Sequence, residues 1–76
     1  EVLMATTFKE DVLMALMQEC YGKIALAKMN ITVLLGMPAG VGGHSEYTQS
    51  IKEQAAIIAE QKGLLEVYEK DFYDKD

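Results

Sequence analysis

The sequence predicts an all-α fold, two long helices folded back as an antiparallel hairpin that dimerises into a four-helix bundle. Three observations carry that expectation. Apolar residues recur at alternating four- and three-residue steps in two separate stretches. A glycine-rich segment holding the only proline lies between them. No run alternates polar and apolar residues in the way of a half-buried strand. The expected layout is one domain over the 76 residues, with a helix over 7–35, a loop over 36–44, a second helix over 45–72 and a short acidic tail over 73–76.

The first helix announces its own start. Thr7-Phe8-Lys9-Glu10 is a capping box, a hydroxyl at the cap with a Glu three residues on. Leu13, Met17, Cys20, Ile24, Ala27, Ile31 and Leu34 then hold one face of a helix about 43 Å long at 1.5 Å per residue over 7–35. Gly22, with Asp11 and Gln18, sits on the opposite polar side and costs about 1 kcal/mol relative to Ala. The β-branched run Ile31-Thr32-Val33-Leu34-Leu35 has a competing reading as a short strand. A lone strand would leave its backbone groups unpaired, which favours helix.

The connection Gly36-Met37-Pro38-Ala39-Gly40-Val41-Gly42-Gly43-His44 reads as a hinge loop. Pro38 disfavours helix at Met37, and the glycines permit positive φ. Ser45 is placed to cap the next helix, with Glu46 in its positive first turn. In the second helix Tyr47, Ile51, Gln54, Ile58, Gln61, Leu65, Tyr68 and Phe72 repeat the same spacing. Gln54 and Gln61 either set register within the seam or reach solvent at its edge. The five Met fit core packing at helical spacing, with an adaptable binding groove as the alternative. Glu19/Lys23 and Glu66/Lys70 are oriented as i,i+4 pairs.

Composition then limits function. The chain is 8.4 kDa, half apolar, with seven Lys and Arg together, all of them Lys, against twelve acids and a net charge of −5. A monomer of this mass exposes about 4,600 Å² of about 12,000 Å² unfolded, so its core is thin. Without Arg it lacks the cationic footprint that grips phosphodiester backbones, so no nucleic-acid partner is expected. The single Cys20 cannot close an internal disulfide, which suits a reducing compartment. Apolar runs fall far short of the ~20 residues that cross a bilayer, and no secretory leader is visible. An intracellular, cytoplasmic protein without a membrane partner is expected, and Glu1 in place of an initiator Met predicts a processed or truncated start.

Catalytic chemistry finds no footing. The stretch from Ile31 to Ser45 has the outline of a P-loop, an apolar run and a glycine-rich turn before a helix. In either register, however, the Lys for terminal phosphates is missing, and so is the in-register hydroxyl for magnesium. A weaker possibility is that backbone amides of Gly42, Gly43, His44 and Ser45 cradle an anion or a partner at the helix start. His44 is the only imidazole, so no His pair or His/Cys cluster forms within the chain. Cys20 has Lys23 nearby, but its place on the core stripe predicts an inert buried thiol. No catalytic residue, metal site or cofactor is expected, and the chain is read as a non-enzyme.

The apolar surplus points instead to an interface. Beside the main stripe, Phe8, Val12, Leu26 and Val33 form a second line interrupted by Glu19, and Ile57 and Leu64 flank the stripe of the second helix. Left in water these would make an exposed apolar patch, the usual mark of an association surface. A two-fold dimer would satisfy both helices by symmetry. The expected partner is therefore a second copy of the chain, with another protein as the further possibility.

The segment Gly40-Val41-Gly42-Gly43-His44-Ser45, followed by an acid-rich helix with Leu64-Leu65-Glu66 and Lys70-Asp71-Phe72, resembles short, functionally uncharacterised helical proteins of marine phages and ocean metagenomes. Those carry a Gly-Val-Gly-acid-His loop between two helices and an aromatic finish. The resemblance covers roughly residues 40–72, with Gly43 standing where those proteins have an acid. It implies a small phage-type accessory protein and assigns no activity or functional residue.

Overall fold

The computed structural model of the protein describes residues 7–38 and 44–74. The first helix, α1, spans Phe8–Leu35, and the second, α2, spans His44–Glu66 and continues as a π-helical segment, Val67–Tyr73. Strands are absent among the described residues. The two helices pack along their length, and the π segment returns to the start of α1. The pairing is antiparallel, a single layer measuring 59 × 24 × 12 Å, and 12 Å is about the diameter of one helix with its side chains.

The capping box closes at the start of α1. The Glu10 N–H donates to Thr7 Oγ1 at 3.1 Å, and the Thr7 N–H donates to Glu10 Oε1 at 2.9 Å. Two of the amides that a helix start leaves unpaired are thereby satisfied. Glu10 and Asp11 place negative charge in that first turn, where the helix dipole favours it. At the other end the helix runs through the β-branched segment to Leu35. Thr32 accommodates there by donating its hydroxyl to the Lys28 carbonyl at 2.9 Å, the back-bond that lets Thr sit inside a helix.

The turn after Leu35 corrects one expectation. Gly36 lies at φ −87°, ψ −1°, so it uses no positive φ. Its N–H is shared between the Thr32 and Val33 carbonyls, and the Met37 N–H reaches the Leu34 carbonyl at 3.2 Å. The helix ends by tightening its last turn, and Pro38 keeps Met37 from continuing it. The remaining glycines of the loop, Gly40, Gly42 and Gly43, lie outside the described residues. Helix α2 already includes His44, so Ser45 lies inside the first turn and not at the cap position assigned to it from the sequence.

The core belongs to α1. Leu13, Met17, Cys20, Ile24 and Ala27 are its buried apolar residues, with Cys20 and Ala27 the most enclosed. Cys20 and Ala27 are small, so α2 can approach closely along that line. Ile31 and Leu34, on the same stripe, are half-buried, because the single layer admits water towards its loop end. On α2 the stripe residues Tyr47, Ile51, Ile58 and Leu65, and Tyr68 in the π segment, are all half-buried, and among the described residues of these two elements only Gln61 is buried.

Three sequence expectations change here. Of the four described methionines only Met17 is in the core, while Met14, Met29 and Met37 are exposed, because one layer offers one buried line per helix. Glu66 and Lys70 pair at 3.6 Å, but no bridge joins Glu19 and Lys23. Phe72 leaves the seam and is half exposed. The cause is the π geometry, sealed by the Asp74 N–H on the Glu69 carbonyl at 2.7 Å. Bonds from i to i+5 widen the turn, so each residue rotates less than in an α-helix and the stripe drifts off its face.

Candidate functional site

Part of the surplus apolar surface of the two helices meets in one groove, while the rest lies elsewhere. Between α1 and α2 runs an open groove of about 440 Å³ that brings together Leu26, Ala27 and Asn30 of α1 with Gln54, Ile57 and Gln61 of α2, and its rims carry Lys23 on α1 and Glu60 on α2. Leu26 and Ile57, expected from separate stripes, therefore share one surface. Leu26 is 56% exposed, Val33 57% and Ile57 36%. Val33 follows Leu26, and Leu64 follows Ile57, by two helical turns, which keeps each pair on one side of its helix. Leu64 is half-buried.

The groove floor holds a polar arrangement. Asn30 Nδ2 donates to Gln54 Oε1 at 3.1 Å, a partly buried bond between the two helices. Gln61 is only 5% exposed and makes no hydrogen bond to another described residue. No buried side-chain nitrogen or oxygen among the described residues lacks a partner. The small area that Gln61 keeps therefore includes its amide, which opens into the groove it lines. Of the two readings of these glutamines, the seam position holds for Gln61, while Gln54 stands half-buried beside it. Asn30 went unnoticed in the sequence. Its only signal was a polar residue directly before stripe residue Ile31.

A second recess lies at the far end of the layer. Phe8, Lys9, Val12 and Leu13 of α1 line it with Phe72 of the π segment, around about 380 Å³. Phe8 is 84% exposed, so this aromatic pair covers little of itself. Phe8 and Val12 thus sit apart from the central groove, and the six apolar residues singled out in the sequence divide between two recesses and their margins.

The proposed anion cradle is reached only in part. Gly42 and Gly43 lie outside the described residues, and His44 and Ser45 form the first turn of α2. No group of three His, Cys, Asp or Glu among the described residues could hold a metal. Cys20 is free and buried, so solvent does not reach its thiol. No described helix is long and apolar enough to cross a membrane. No family model matches the chain, and no curated protein or solved structure matches it either.

Proposed function

We propose that the chain is a non-enzymatic, self-assembling helical module in which two copies close a four-helix bundle through the Leu26/Ile57 face. The observation that carries the reading is that Leu26 of α1 and Ile57 of α2, one surplus apolar side chain from each helix, line one groove. The lone thiol and Arg-free acidic surface fit an intracellular protein whose partners are proteins, and the loop resemblance fits a phage-type accessory role.

Sedimentation equilibrium from 1 to 100 μM tests the reading, with circular dichroism reporting the fold. The dimer is expected within that range. Leu26→Gln with Ile57→Gln, uncharged changes at exposed positions, should weaken it on the order of a thousandfold, since each buried aliphatic side chain contributes about 1 kcal/mol or more and counts twice in a symmetric dimer. A helical monomer across the whole range overturns the proposal.

A further inference from the structure

The groove is charged in a way that specifies how a second copy seats. Lys23 stands on its α1 rim and Glu60 on its α2 rim, yet no ion pair joins them within the chain. Their heights follow from the Asn30–Gln54 bond. In an antiparallel pair, seven residues back from Asn30 and seven on from Gln54 lead to Lys23 and Gln61, beside Glu60. The cation and the acid are thus level with each other on opposite sides of the groove.

Only one symmetric stacking exploits that arrangement. A two-fold axis parallel to the helices lays α1 of one copy over α2 of the other without changing height, so all neighbouring helices run antiparallel. Each Lys23 then stands over the Glu60 of the second copy, and each Leu26 over its Ile57. A two-fold axis perpendicular to the helices stacks like on like instead, α1 over α1 and α2 over α2, and brings no Lys23 over a Glu60.

We infer that the occupant of this groove is a second copy of the chain in the axis-parallel arrangement, registered by two reciprocal Lys23–Glu60 pairs. The open Gln61 amide lies beside each pair, where its carbonyl oxygen accepts a proton of the incoming ammonium. The inference rests on the self-assembly reading and adds the geometry and the charge code to it. The apolar residues supply affinity, and the charges choose among arrangements, the usual division of labour at interfaces.

A charge-complementation experiment decides it. In Lys23→Glu both interfacial pairs become acid against acid, and in Glu60→Lys both become cation against cation. Each variant alone should dimerise on the order of tenfold more weakly than the parent, in line with modest rim-charge energies. Mixed in equal amounts, the two variants restore both pairs and should form a heterodimer at near-parent affinity, read by sedimentation with one component fluorescently labelled. Lys52→Glu and Asp71→Lys, outside the groove, carry the same changes in net charge and should show neither the loss nor the rescue. All measurements are made at 0.15 M salt.

A parent dimer whose variants neither weaken nor rescue one another overturns the registered arrangement and leaves self-assembly standing. A parent chain that stays monomeric overturns both. Variants that weaken without rescue show that Lys23 and Glu60 touch the interface but not each other, which also overturns the inference.

Discussion

Single residues carry the clearest local arguments. A Cβ added at Gly22 meets nothing within 4 Å, and neither does one at Gly63. Both sit inside helices, where Gly costs about 1 kcal/mol relative to Ala. Gly22→Ala is expected to raise stability by about 0.5–1 kcal/mol, measured by urea unfolding with an unchanged m-value. Unchanged or reduced stability would show that the position touches something the chain alone does not provide. Cys20 was legible at this scale too, since its spacing alone put it on the core stripe, where it is 2% exposed. The methionines were not. Spacing places a side chain on a helix face, but burial depends on whether a neighbour covers that face, and here one neighbour covers one line.

At the scale of elements the sequence told type and direction and missed geometry. The capping box at Thr7 and the block before Pro38 are local chemistry, readable without a partner. The π turn over Val67–Tyr73 is not, because nothing in Val67-Tyr68-Glu69-Lys70-Asp71-Phe72-Tyr73 departs from an ordinary amphipathic ending. Only packing against the start of α1 distinguishes it. The Asn30–Gln54 bond was likewise invisible, for it depends on which residues of two helices lie level. That bond yields a prediction. Gln54→Ala alone strands the Asn30 amide and should cost about 1 kcal/mol or more, whereas Asn30→Leu with Gln54→Leu should be close to neutral. A double-mutant cycle should return a coupling of about 0.5–1.5 kcal/mol. A coupling near zero would remove the pair as a determinant of hairpin register.

For the whole molecule, charge and shape act against each other. Each copy carries a net charge of −5, and two such layers stacked 12 Å apart repel, as point charges, by about 6 kcal/mol at 0.01 M ionic strength but by about 2 kcal/mol at 0.15 M. Two rim pairs are worth less than that difference. The self-association proposed above should therefore tighten as salt rises from 0.01 to 0.15 M, as seen by sedimentation at fixed protein concentration. Weakening over that interval would mean that cross-copy attraction outweighs net repulsion. The face that carries this association was half legible beforehand. The two surplus stripes were plain in the spacing, but the meeting of Leu26 with Ile57 in one groove required knowing which way each helix is turned about its axis.

The one-helix thickness of the layer has a last consequence, for turnover in the cell. A sheet of two helices has no residue more than a few ångströms from water on at least one side, so under the self-assembly proposed above its folded population would rise with the number of copies available to cover it. Stray single copies would be the first to open and meet proteases. Abundance and lifetime would then rise together, and a chain made in small excess over need would be trimmed without a dedicated regulator.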